Sequence, residues 1–546
     1  MTSAVGLTAG VSQEEFKGFV AAYEARIIPL WKESVLASYT ASVTGNDADY
    51  QKSNELNLEM ARYYSDPELY AQLKAFRDGG QVSDPILKRE LDLLYLQFQG
   101  YQIDSALIDR ITTLATTVEQ KFSTFRTKLG DREVADNVVD SILRQSTDSA
   151  ELESVWLASK EIGRVVAPDV LTLTKLRNEA ARSLGYKDYF EMQLKLSEIE
   201  PADLQALFDE LDVLTRPVFV ALKAEMDSIL AARLGITPDQ LRPWHYQNRF
   251  FQEAPSIYGV DLNSFYEGKD PVAIARKYFN GIGLEIDTIL ARSDLYEKPG
   301  KYQHAYSADV DRAGDARIIC NLRPNYYWMA TLLHELGHAT YSRYNDPNLP
   351  WLLRSEPHAF TTEAVAEFFG ALPANPRWLV EVMGVAPEEA ARVAPACKRS
   401  FRAERLIFSR WAQVVVRFEQ GLYGNPDQDL NKLWWDLVEK YQLLKRPEGR
   451  NEPDWAAKIH IASYPVYYYS YQMGQILAAQ FADAIGRNVL GAENSYDLSF
   501  ANDPRIGEFF REKVFRPGSR YPWNEMIEKA TGRKLTSEYY AKQFVE

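Results

Sequence analysis

With only two cysteines in 546 residues, Cys320 and Cys397, the chain cannot carry a disulfide framework, and a cysteine-ligated structural zinc is not expected; a single bridge is conceivable, and a reduced compartment fits better. Basic charge is also scarce. Against 62 Lys and Arg stand 76 Asp and Glu, a net charge of −14. No Lys/Arg cluster interrupts that background, so a nucleic-acid partner is not expected. No run of about 18 apolar residues occurs, which argues against a membrane-spanning helix. Met1–Gly10 has neither a basic n-region nor an apolar core of export length, so the expectation is a cytoplasmic protein, with a periplasmic or secreted one as the alternative if a leader has been removed. Linkers, repeats and low-complexity tracts are missing too. The chain therefore reads as one large unit, 1–546, with two lobes.

What is present points to a helical protein. Hydrophobic residues at 46% and charged residues at 25% exclude disorder. The 32 Tyr, 25 Phe and 11 Trp serve core packing first, and they also suit the lining of a peptide cleft. Ser12 followed by Glu14 and Glu15 reads as a helix start, after which Phe16, Phe19, Val20, Tyr23, Ile27, Ile28 and Trp31 recur at three- and four-residue spacing. Segments 53–77, 84–100, 104–129 and 203–234 repeat the pattern. Strand signals are few: 316–322 is rich in β-branched residues, and 304–307 is the expected partner. An edge strand there would offer backbone to an extended peptide. The fold class is mostly α, with a small β-sheet.

Histidine is the rarest polar residue that matters, with six in all, and two of them stand in His334-Glu335-Leu336-Gly337-His338. On a helix, positions i and i+4 share a face, so both imidazoles can meet one zinc while Glu335 sits beside it as a general base. The bland alternative is two ordinary histidines around a solvated glutamate. Trp328, Leu332, Leu333, Leu336 and Ala339 at helical spacing argue for a buried helix, where such polar groups need a partner. A catalytic zinc takes three protein ligands. Glu363, on the next strong helix, is assigned as the third, and Glu367, one turn on, as acceptor from a liganding histidine. A solvated acidic face is the competing reading, and spacing alone leaves both open.

The motif helix, the 349–354 stretch and Thr362-Glu363-Ala364 resemble the angiotensin-converting-enzyme family of zinc peptidyl-dipeptidases, particularly its bacterial branch, and the likeness runs nearly end to end, from Glu14-Glu15-Phe16 to Arg520-Tyr521-Pro522-Trp523. The resemblance implies a helical ellipsoid around a deep central cleft, lid helices over about 1–110, and a site centred on 334–367 with one zinc per chain. It implies that His304 and Ala305 contact the substrate backbone, that Lys458, Gln247 and Tyr468 hold a C-terminal carboxylate, and that His460 and Tyr471 stabilise the oxyanion. Aligning forward from His460 falls one short of Tyr471, so Tyr469 is the runner-up. The ending Tyr468-Tyr469-Ser470-Tyr471 also resembles the thimet oligopeptidase family, which favours Tyr471. Ser470 then stands where chloride-dependent members carry an arginine, so chloride activation by that route is not expected. His245 reads as accessory, and His358 has no role in this reading. The implied activity is release of C-terminal dipeptides from oligopeptides by a monomer. An oligoendopeptidase, a single-residue carboxypeptidase and an inactive peptide receptor or chaperone are the alternatives.

Overall fold

Ser12 opens the first helix as its sequence suggests. In the computed structural model, which describes residues 12–492 and 494–544, Ser12 Oγ accepts from Glu15 N at 3.2 Å while the Glu15 carboxylate accepts from Ser12 N at 2.6 Å, a reciprocal cap on α1 (Gln13–Thr44). Met1–Gly10, read above for an export signal, lies outside the described residues. The buried face of α1 carries Phe16, Val20, Tyr23 and Ile27 at helical spacing.

The segment expected as one helix over 53–77 is two, α2 (Asp47–Tyr64) and α3 (Pro67–Gly79). The cause is local: Asp66 accepts from Glu68 N and Leu69 N, and Pro67 fills the first helical position, so a new helix starts there. Asp84 and Pro85 start α4 (Pro85–Gln99) in the same way. Helices α1 to α4 share a core of their own, built on Phe16, Tyr23, Leu56, Leu73, Phe76, Leu94 and Phe98. The 104–129 segment also divides. After α5 (Ser105–Thr124) the chain forms β1 (Thr127–Leu129) and β2 (Arg132–Val134), joined by a two-residue turn in which Gly130 adopts φ 62°.

Most other buried apolar residues, from Val118 to Phe544, form one continuous core. On its edge lies the second hairpin, β3 (Tyr306–Asp309) with β4 (Ala316–Ile319), antiparallel in the register Tyr306↔Ile319 and Asp309↔Ala316. The strand begins two residues later than expected, because Asn321 Nδ2 bonds the carbonyls of Tyr302 and Gln303, each at 3.1 Å, in place of ladder bonds. Val310 N donates to Asp315 O at 2.9 Å and closes the hairpin. Alternation along an antiparallel pair then turns the backbone groups of Ala305, Ser307 and Asp309 away from β4. On the far side of β4, Asp294 N donates to Ile318 O and Cys320 N to Asp294 O, so β3 is the edge strand of this sheet among the described residues.

The N-terminal helices are pinned to this hairpin. The Arg312 guanidinium lies 4.4 Å from the ring centroids of both Trp31 on α1 and Trp351, and Trp31 Nε1 donates to Asp309 O at 3.4 Å. On its other side the hairpin packs against the helix Tyr326–Arg343, which carries the histidine motif. That helix crosses Ala359–Gly370, and Ala359–Gly370 in turn crosses Tyr468–Asn488. These three helices carry the candidate site.

Candidate metal centre

Asn325 caps the motif helix, its side-chain oxygen accepting from Trp328 N at 2.9 Å. Met329, Leu332, Leu333, Leu336 and Ala339 form the buried face; Trp328, expected there, is half-buried at its margin. His334 and His338 follow one turn apart and aim their Nε2 atoms at a common point, 3.3 Å from each other. Glu363 comes in from the Ala359–Gly370 helix with Oε1 3.7 Å from His334 Nε2 and Oε2 3.6 Å from His338 Nε2. Zinc bonds of about 2.0–2.1 Å imply donors separated by about 3.3–3.4 Å around a tetrahedron, so this donor set fits one zinc ion. Among the described residues it is the one cluster of metal-ligand groups whose donor atoms converge in this way.

Close helix approach makes the convergence possible. A β-carbon on Gly337 would stand 2.7 Å from Ala366 Cα, and one on Gly474 would stand 2.9 Å from Glu363 Cγ. Any larger residue at either position would push the ligand helix away from the histidines.

The residues around the ligands set their orientation. His338 Nδ1 lies 2.8 Å from Thr362 Oγ1; donation from Nδ1–H leaves the Nε2 lone pair for a metal. Glu367 was expected to accept from a liganding histidine, and its hydrogen bonding differs. Its carboxylate accepts from Arg405 Nη1 at 2.5 Å, and it neighbours His334 as a charge. Burial raises the Glu367 carboxyl, but the charges of Arg405 and His334, with hydrogen bonds from Arg405 and Gln475, outweigh it and hold it below the usual range. Burial, together with the charges of Glu367 and Glu335, pushes Glu363 up to about 8. Burial alone does the same to Glu335, which is 6% exposed. Crowded, enclosed carboxyls beside two imidazoles are a setting that a bound cation relieves.

Two histidines are structural. His358 caps the ligand helix, Nδ1 accepting from Phe360 N at 3.0 Å, and burial lowers its pKa to about 4. His245 accepts from Arg242 N at 2.8 Å on Nδ1, and its Nε2 meets Ser149 Oγ at 2.8 Å.

Several of the residues assigned to substrate neighbour one another. Burial, and then the charges of Glu363 and Tyr464, raise the Tyr471 hydroxyl. Its ring centroid lies 5.4 Å from that of Tyr468, whose own ring is 5.2 Å from His460 and 5.5 Å from Lys458 Nζ. Tyr468 accepts from Trp411 Nε1 at 2.8 Å, so its own proton remains to be donated. Lys458 Nζ donates to Gln252 Oε1 at 2.7 Å and shares a cavity of about 320 Å3 with Gln247, whose Oε1 accepts from Ser256 N at 2.8 Å. Tyr469 turns elsewhere, its hydroxyl 3.5 Å from His358 Nε2. Ser470 is buried. His304 is exposed, with Ala305 beside it at the start of the edge strand; the His304 ring lies 5.3 Å from Tyr302, which interacts electrostatically with Tyr464 near His460. A second cavity, about 820 Å3, opens directly on His334, Glu367, Arg405 and Gln475. Thr362, Arg405, Trp411 and Gln252 were missed in the sequence. Only Thr362, adjacent to Glu363, carried a local signal.

The profile of the family described as angiotensin-converting enzyme matches residues 11–241, and that of peptidase family M3 matches 290–546, the half that holds the metal site. Angiotensin-converting enzyme of Oryctolagus cuniculus is 24% identical over 536 residues, covering 91% of this chain and 38% of that protein. The Rattus norvegicus enzyme is 23% identical over 432 residues, covering 73% and 32%. An inactive angiotensin-converting enzyme-related protein of Caenorhabditis elegans is 22% identical over 507 residues, covering 82% and 54%. The chain thus spans about a third to a half of the length of these curated relatives. Read with the ligand triangle, these matches from the first helix to the last show that the chain belongs to the angiotensin-converting-enzyme-like gluzincin metallopeptidases.

Proposed function

We propose that this chain hydrolyses oligopeptides in a zinc-dependent reaction and releases dipeptides from their free C-termini. The observation that carries the reading is the pairing of the His334, His338 and Glu363 triangle with a buried ammonium, Lys458, reached through Tyr471 and Tyr468. His334, His338 and Glu363 would hold one zinc per chain, which when bound supplies Lewis-acid polarisation of a carbonyl and a more acidic water.

The chain's own residues do the rest. The outward backbone of Ala305 and Ser307 pairs with an extended peptide, with His304 beside it. Lys458, the Gln247 amide and the Tyr468 hydroxyl receive the terminal carboxylate as charge-assisted donors. Glu335 accepts the proton of the attacking water on a carboxylate oxygen and returns it to the departing amine nitrogen. Tyr471 and the neutral imidazole of His460, whose pKa burial lowers to about 4, donate to the oxygen on which charge develops. This reading has the enzyme act as a cytoplasmic monomer. Among the described residues no helix is long and apolar enough to cross a membrane.

The match of residues 290–546 to peptidase family M3 favours a second reading, an oligoendopeptidase on the same chemistry. One experiment separates them. An unblocked oligopeptide and its C-terminally amidated twin are incubated with the protein, with and without chelator, and the products are weighed. Successive loss of dipeptides from the free peptide alone, abolished by chelator, supports the proposal. Internal fragments formed equally from both peptides favour the endopeptidase, and no cleavage of either points to a binding protein.

A further inference from the structure

We infer that Glu419, outside the metal centre, is a positioning residue that aims Tyr468 and Tyr471 by clamping the turn before them; the inference rests on the tyrosine roles proposed above. Glu419 stands on the helix Pro387–Gly424 and is 2% exposed. Its Oε1 accepts from the peptide N–H of Val466 at 2.7 Å, a fully buried bond. Val466 itself has φ 58°. A β-branched residue in the left-handed region is a genuine outlier, and it persists only where its surroundings over-determine it.

The position of that turn gives the bond its consequence. Residues 464–467 separate the short helix Ile459–Ser463, which carries His460, from Tyr468–Asn488. Tyr464 N donates to His460 O at 3.0 Å on one side, and Ser470 N donates to Tyr467 O at 2.9 Å on the other. Only these few residues join the two helices, so the conformation of Val466 bears directly on where the second helix begins. Tyr468 and Tyr471 occupy its first turn. Glu419 meets the turn through its bond to Val466 N, two residues before Tyr468. Arg177 is close enough to act on Glu419 through its charge, yet its guanidinium bonds Tyr423 Oη at 3.4 Å. The Glu419 carboxylate serves the peptide N–H. Burying such a group is costly without a structural return, and here the bond it makes holds the strained turn at Val466.

The test is a mutant cycle with kcat and KM measured separately. Glu419→Ala is expected to lower kcat about 100-fold, the scale of a small misplacement at a reacting centre, while Glu419→Gln, which keeps an acceptor, restores most of it. In a Tyr471→Phe background, Glu419→Ala should lower kcat less than about threefold further, because of the two tyrosines it aims Tyr471 is the one proposed to act on the oxyanion, and it is already gone. Full additivity of the two losses would overturn the inference, as would a Gln variant as impaired as Ala. Wild-type kcat for Tyr471→Phe alone would instead overturn the proposed role of that tyrosine. Should Glu419→Ala fail to fold, the same cycle is run with Val466→Gly throughout, since glycine takes φ 58° without a Cβ penalty. The same non-additivity is expected there, and additivity there overturns the inference equally.

Discussion

Gly474 lies directly against Glu363, so that a β-carbon on the glycine would stand 2.9 Å from the glutamate's Cγ and 3.1 Å from its Cβ. The proposed third metal ligand therefore packs against a residue in a different helix that has no side chain. Gly474→Ala should displace Glu363 while leaving both histidines in place. The expected result is a metal affinity lower by about 10- to 100-fold, the range seen when a ligand's support is lost. Competition with a chelator of known affinity measures it. Affinity equal to wild type would show that the ligand helix can shift without harm.

Thr362 supports His338 from the other side, 2.8 Å from Nδ1. Thr362→Val keeps the shape and removes the acceptor, freeing the ring to change tautomer or rotate. Metal affinity should again fall by about 10- to 100-fold. Thr362→Ser, which keeps the hydroxyl, should behave as wild type in the same chelator titration.

Glu335 touches no ligand role, so its loss separates chemistry from metal binding. Glu335→Gln is expected to lower kcat on the order of 100- to 10,000-fold, the usual contribution of a positioned base. Metal content by elemental analysis should stay at one ion per chain. A variant that cleaves as fast as wild type would remove Glu335 from the mechanism.

The parts of this molecule legible in sequence are those set by local periodicity. Helical spacing alone brings His334 and His338 to one face, and the same rule places Glu363 and Glu367 together. It cannot say what faces them. Glu367 meets Arg405, 38 residues away and on a different helix, and Thr362 meets His338 only because Gly337 lets Ala366 come close. The division of 53–77 was readable, since Asp66-Pro67 is a helix start, but the continuing apolar rhythm hid it. His358 and His245 act through their ring nitrogens as caps, a use of histidine that composition does not announce. The left-handed turn at Val466, just before the tyrosines, falls at a residue type that gives no warning of it.

Lys458 gives the site a pH dependence that can be worked out in sign. Burial lowers its pKa to about 8, with the charge of Glu253 opposing and that of Arg249 adding to the effect. Below that value the ammonium is present and can receive a carboxylate. Above it the amine is neutral and the charge-assisted bond is lost. For peptides with a free C-terminus, KM should therefore rise as pH passes about 8, approaching tenfold per unit once the neutral form dominates. Amidated peptides should show no such rise, because they offer no carboxylate to lose. Lys458→Arg keeps its charge throughout and should flatten the profile, whereas Lys458→Met should raise KM by about 10- to 100-fold at neutral pH. A KM that climbs identically for free and amidated peptides would place the titrating group elsewhere and would remove Lys458 from the carboxylate site.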